Sequence, residues 1–253
     1  MLSMIYGDET RVFVNTVIGC EAECQYCYLP KIGADKIIKS ITAEEVVNEL
    51  SSLPFFVRGK QGTIISLGCY SECWSEKNKN ETIKVLSVIA KWGNYIQLAT
   101  KQSISEKEIF FLNSISLYKN QIGIYLSIPT ITFSKKLEKG TACIKERLLP
   151  LQFKSKVHKI YFVLYIKPVL KGITLCDKEL YRNLIEKYQV YVVVGSLFGV
   201  DVKRQSSILV GEGYFHEKII GEAEELRSYL KKSGCVFEHS IEVIQKIKQK
   251  EII

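Results

Sequence analysis

The chain contains no run of about 18 apolar residues, so no membrane-spanning helix is expected. Its opening, MLSMIYGDETRVFVN, has no basic start leading into an apolar stretch, so no secretion signal is read and a cytoplasmic protein is expected. Histidine is scarce: His158, His216 and His239 stand alone and read as structural or surface residues, not ligands. Prolines number 5, and neither a repeat nor a low-complexity linker is visible, which excludes disorder and repeat architectures. Cysteine is not scarce. Eight cysteines in a reducing compartment do not form a disulfide framework; they read as metal ligands, reactive thiols or small core residues.

At 253 residues and 47% apolar composition, one α/β domain with a full core is expected. Short β-branched runs at 11–18, 63–67, 95–98, 121–127, 159–166 and 189–194 read as strands. Helical patterns at 43–52, 81–92, 106–113, 143–149 and 178–187 lie between them. This alternation predicts a parallel sheet of about six β/α units, a partial (β/α)6 TIM-type barrel. Thr42, with Glu45 three residues on, predicts a capped helix start. The expected division is a core barrel over 1–200 and an extension over 201–253, with a glycine-punctuated loop GEGYF and helices near 222–232 and 241–251. Gly195 and Gly199, after the last apolar strand, permit close approach of a ligand such as adenine.

Charge is unevenly placed. Between Lys135 and Lys171 ten basic residues face only Glu138 and Glu146, a net charge of +8 that equals that of the whole chain. Such a segment is either a solvated lysine-rich surface or a site for anionic partners such as nucleic acid.

The densest chemistry is in TVIGCEAECQYCYLP, where Cys20, Cys24 and Cys27 follow the first strand. The C-terminal ends of parallel strands are where such folds place their chemistry. Three thiolates suit an iron–sulfur cluster with one iron left open, or zinc if Cys69 or Cys73 is a fourth ligand. Small core cysteines are the third reading. The remaining cysteines lack cluster spacing, so one cluster is expected.

The Cys-x3-Cys-x2-Cys spacing, the aromatic Tyr26 before the last cysteine and the preceding strand resemble the radical S-adenosylmethionine (radical SAM) enzymes. The likeness runs from about Val14 to Gly172. It is nearest to the spore photoproduct lyase-like branch, carried by GCEAECQYCYLP, SLGCYSE, LATKQS and YLSIPT…LEKGTACIKERL. It implies that Cys20, Cys24 and Cys27 hold a [4Fe–4S] cluster and that S-adenosylmethionine chelates the open iron. Tyr26 then lies against the adenine. Glu72, preferred over Ser71, pairs with the amino group, while Lys101 and Ser127 hold the carboxylate. Cys69 matches the hydrogen-donating cysteine of that branch, with Tyr26 and Tyr28 at the places of its relay tyrosines; Cys73 is a second candidate donor. An electron donor such as flavodoxin or ferredoxin is implied. Glu138 and Arg147 match polar positions of the relatives and either touch cofactor or pair with each other. The loop CYSECWSEKN and the tail after Val200 depart from that branch, so the substrate is left between a peptide, a nucleoside or small metabolite, and a nucleic acid. A zinc-binding interaction module is the rival from another class.

Overall fold

A computed structural model describes residues 2–201, 208–210, 213–218 and 221–250, with side-chain surroundings described outside 197–220. Its strands are β1 (Ile5–Gly7), β2 (Arg11–Val14), β3 (Val17–Ile18), β4 (Lys39–Ser40), β5 (Ile64–Leu67), β6 (Ile96–Thr100), β7 (Ile122–Ser127), β8 (Ile160–Ile166), β9 (Tyr191–Val194), β10 (Leu197–Asp201), β11 (Ile208–Val210), β12 (Gly213–Lys218) and β13 (Val236–Phe237). The helices are α1 (Ala43–Ser52), α2 (Glu76–Ile89), α3 (Glu106–Ile115), α4 (Ser134–Leu137), α5 (Ile144–Leu148), α6 (Lys178–Tyr188), α7 (Gly221–Leu230) and α8 (Ser240–Lys250).

Eight strands form one sheet in the order β1-β2-β5-β6-β7-β8-β9-β13. All neighbours in it are parallel except the edge pair β1–β2. The six β/α strands stand where periodicity expects them. The antiparallel edge β1 and the two-residue β13 extend the sheet on either side, being too short to leave a readable alternation. The capping box at Thr42 and Glu45 forms, and Ser105 with Glu108 builds another on α3. Helix α2 starts at Glu76, five residues before its expected start. Its first turn is polar, so apolar periodicity missed it; Asn78 there is buried and donates to Ser71 Oγ at 3.0 Å.

Alternation assigns the two faces of the sheet. Val12, Val14, Ile65, Leu67, Ile96, Leu98, Ile122 and Ile124 pack on one side in the main core, which also takes in Leu50, Leu86 and Leu226 from the surrounding helices. The opposite face carries Ile64, Tyr95, Tyr125, Tyr161, Val163 and Val193 and is covered by Val243, Ile244 and Ile247 of α8. Each such side chain, fully buried, contributes about 2 kcal/mol. Gln97 Nε2 and the Tyr125 hydroxyl donate to the Ser240 carbonyl at 2.8 and 3.0 Å, fixing the start of α8 on this inner face. The C-terminal extension thus provides the two expected helices, and β13 and α8 complete the sheet and its inner core. The GEGYF stretch begins on Gly211 and Glu212, which lie outside the described residues, as does Glu251; Gly213–Phe215 belong to β12. No described helix is long and apolar enough to cross a membrane.

Candidate active site

The three-cysteine loop is an excursion closed at its base by the antiparallel β3–β4 ribbon. Gly19 opens it at φ 109°, where a Cβ would lie 1.8 Å from the Lys36 carbonyl oxygen. Only glycine fits there. The Gly19 N–H donates to the Tyr70 carbonyl at 2.9 Å, tying the loop to the segment after β5. On its other side the loop meets the segment after β7. Gln25 N–H donates to the Leu137 carbonyl and Gly140 N–H to the Ala22 carbonyl, both at 2.9 Å, and Cys24 forms a β-bridge with Glu138.

Cys20, Cys24 and Cys27 are half-buried free thiols. Burial pushes the Cys24 thiol up to about 11, partly opposed by the Lys101 ammonium; the Glu138, Cys27 and Cys20 groups push it further up. Burial also raises Cys20, which feels Glu72 and Cys27. The thiols therefore sense one another, although among the described residues no three cysteine, histidine or acidic side chains converge into a ready-made ligand set. The donor set suits an iron–sulfur cluster. Three soft sulfurs share one loop, and metal binding would replace their protons.

Strand ends supply the neighbours. Thr100 closes β6, and its hydroxyl donates to Glu72 Oε1. The Lys101 N–H donates to Glu72 Oε2 at 2.8 Å, and the Trp74 N–H to Oε1 at 3.1 Å. Glu72 is thus a fixed, half-buried carboxylate beside Cys20. Lys101 Nζ lies 5.7 Å from the Tyr26 ring centroid. Ser127 ends β7, is 3% exposed, and its carbonyl accepts from Arg147 Nη1 at 3.1 Å.

Glu138 and Arg147 pair with each other at 2.6 Å, with side chains 0% and 1% exposed. Arg147 also donates from Nε to the Ala142 carbonyl at 2.7 Å and from Nη2 to Thr141 Oγ1. The Tyr26 hydroxyl donates to the same Glu138 carboxylate. A buried network therefore joins Tyr26 of the cysteine loop to the end of β7. Burial, then the Glu138 charge, drives the Tyr26 phenol far above its ordinary range.

Cys69 stands in a second group. The Tyr28 hydroxyl donates to the Cys69 carbonyl at 2.5 Å. Burial raises the Cys69 thiol, while Arg11, a hydrogen bond with Tyr6 and Lys167 act in the opposite direction. Cys69 follows β5 and Lys167 follows β8, so the sheet curls enough to bring these strand ends within electrostatic reach. Cys73 is 3% exposed and turns away, its thiol donating to the Ala99 carbonyl at 3.3 Å. Trp74 is buried in the main core, so its ring is not an open stacking face.

Three features escaped the sequence. Tyr6, on the unread strand β1, stacks on Phe13 and Tyr70 at 4.9 and 4.8 Å and reaches Cys69. Arg11 lies on the inner face. Lys167 is 7% exposed, and its stem crosses Gly195, where a Cβ would lie 2.3 Å from Lys167 Cδ. Gly195 thus makes room for a side chain of this protein rather than for adenine. Of the ten basic residues in 135–171, Arg147 and Lys167 are buried, Lys159 is half-buried and the rest are exposed. The surface charge of this segment is smaller than its sequence total.

No family model matches the chain. A cysteine-to-serine mutant of spore photoproduct lyase superposes with a TM-score of 0.63 at 12% identity, covering 87% of this chain and 74% of that one. A second spore photoproduct lyase mutant, solved with AdoMet and dinucleoside spore photoproduct, gives 0.59 at 13% identity over 88% and 75%. Streptococcus suis SuiB bound to S-adenosylmethionine gives 0.58 at 11% identity over 90% and 50%. The chain shares the fold of these proteins. A curated relative, a probable RNA methyltransferase of Rhodopirellula baltica, is 19% identical over 155 residues, 60% of this chain. The chain spans only 37% of that relative's length. Within this fold, the cysteine loop and the strand ends described above lie together at the C-terminal edge of the parallel sheet, where ligands bind in α/β sheets.

Proposed function

We propose that this protein is a radical SAM enzyme whose Cys20, Cys24 and Cys27 hold a [4Fe–4S] cluster. The observation that carries the reading is the placement of a fixed carboxylate, Glu72, and an ammonium, Lys101, against the three-thiol loop at one end of the sheet. When bound, the cluster supplies an electron, received from a donor such as flavodoxin or ferredoxin, to cleave S-adenosylmethionine to a 5′-deoxyadenosyl radical. In this reading Glu72, held by three hydrogen bonds, takes the amino group of S-adenosylmethionine, and Lys101 and Ser127 take its carboxylate. Tyr26, fixed through Glu138, offers its ring to the adenine. Cys69 returns hydrogen to a substrate radical, with Tyr28 beside it. The substrate is a peptide, nucleoside or small metabolite; a nucleic acid is the second reading, favoured by the exposed lysines of 135–156.

Anaerobic reconstitution with iron, sulfide, S-adenosylmethionine and a strong reductant should yield 5′-deoxyadenosine, and serine at any of the three loop cysteines should abolish it. Full iron and sulfide retention in the serine variants would overturn the reading. Tight zinc binding without 5′-deoxyadenosine would instead establish the zinc-module alternative.

A further inference from the structure

We infer that Arg11 anchors an oxyanion of the substrate, a phosphate or a carboxylate, on the inner face beside Cys69. The inference rests on the radical SAM reading for the word substrate, but its geometry stands alone. Arg11 opens β2 and faces inward together with Phe13, the alternate residues Val12 and Val14 being buried in the main core. Its Nε donates to Ser66 Oγ at 2.8 Å, and its guanidinium carbon lies 4.5 Å from the Phe13 ring centroid. Ser66 is itself fixed, donating to Gln97 Oε1 at 2.9 Å. The guanidinium is therefore oriented by one edge and one face. Among the described residues it meets no carboxylate, and its two terminal nitrogens take no protein acceptor.

A half-buried arginine held by Nε and presenting both Nη groups is suited to bidentate recognition of carboxylate or phosphate. The surroundings agree. Tyr6, Phe13, Tyr28, Cys69 and Tyr165 are each half-buried, and Ser66, Gln97 and Tyr125 are the buried polar residues of the same face. Lys167 adds a second positive charge facing the same thiol. An anionic group bound by Arg11 would place neighbouring substrate atoms near Cys69, which makes Arg11 a specificity-determining residue.

The test uses the protein with its cluster assembled, at low ionic strength, following arginine Nε–H resonances while inorganic phosphate or acetate is added. The Arg11 resonance, assigned by its loss in Arg11→Lys, should shift saturably. That of Arg58, which lies over the Trp92 ring on the other side of the sheet, should not. Ser66→Ala, which keeps the guanidinium but removes its anchor, should weaken anion binding roughly threefold to tenfold, the worth of one hydrogen bond. Tighter phosphate binding assigns a phosphate ester, and tighter acetate binding a carboxylate. An Arg11 resonance that behaves like that of Arg58, or unchanged binding in Ser66→Ala, overturns the inference. Saturable binding by a protein that makes no 5′-deoxyadenosine would sink the enzymatic reading and leave the anion site standing.

Discussion

Arg147 Nη1 lies 2.6 Å from Glu138 Oε2 at a point where neither side chain meets solvent. The guanidinium also satisfies the Ser127 and Ala142 carbonyls, and the carboxylate also accepts from Tyr26. Desolvating two charges is compensated only when such extra hydrogen bonds are complete. Removing one partner leaves the other charge buried and unpaired. Arg147→Met is expected to cost about 3–5 kcal/mol in denaturant unfolding. The double variant Arg147→Met with Glu138→Gln should recover part of that loss. Equal instability of single and double variants would show that the pair is not coupled.

Gly19→Ala tests the loop entry. A Cβ there would sit 1.8 Å from a backbone oxygen, at a φ of 109° that L-residues rarely adopt. Neither neighbour is a flexible side-chain end, so the loop must move. A cost of about 2 kcal/mol or more is expected, together with reduced iron and sulfide after reconstitution. Wild-type iron content in this variant would show that the loop tolerates a shifted entry.

The two cysteines after β5 should separate cleanly. Cys69→Ala is expected to leave 5′-deoxyadenosine formation intact while changing the product formed from a turned-over substrate, since its thiol faces Tyr28 and Tyr6. Cys73→Ala should act on stability, losing a buried thiol and its bond to the Ala99 carbonyl, with a cost of about 1–2 kcal/mol. Product analysis beside thermal unfolding reads both. A changed product in Cys73→Ala alone would exchange the two roles.

Local features were legible in the sequence and long-range ones were not. The six strands, the Thr42 cap and the cysteine spacing each depend on residues within one turn or one loop, so periodicity and composition carry them. The pairing of Glu138 with Arg147, nine residues on, is one of the two readings the sequence leaves open; the joining of that pair to Tyr26, 112 residues away, depends on packing across distant segments, which leaves no local mark. The inward aim of Arg11 depends on the alternation of a four-residue strand, too short to read with assurance. Tyr6 was missed because β1 has three residues and pairs antiparallel at the sheet edge. Gly195 looked like a ligand-facing glycine because sequence records that a side chain is absent, not which neighbour fills the space. Two of the cations in the basic segment are interior for the same reason: charge counting does not see burial.

The inner-face floor gives a pH prediction. Burial raises the Tyr125 phenol to about 12, against weaker opposing contributions from hydrogen bonds with Tyr161 and Gln97 and from the Arg11 charge. Unfolding returns it to about 10. Between these values the unfolded chain holds fewer protons than the folded one, so stability is present in full below about 10 and falls as pH rises through 12. A titration of phenolate absorbance in the folded protein should show a late component that Tyr125→Phe removes. The same variant loses the hydroxyl's bond to the Ser240 carbonyl and leaves Gln97 Nε2 with that carbonyl alone, so about 1–3 kcal/mol of stability should go with it at neutral pH. Because Gln97 also fixes Ser66, Tyr125→Phe should loosen the Arg11 anchor less than Ser66→Ala does. A Tyr125 that ionises with the exposed tyrosines would place α8 away from the inner face and remove the floor beneath the site.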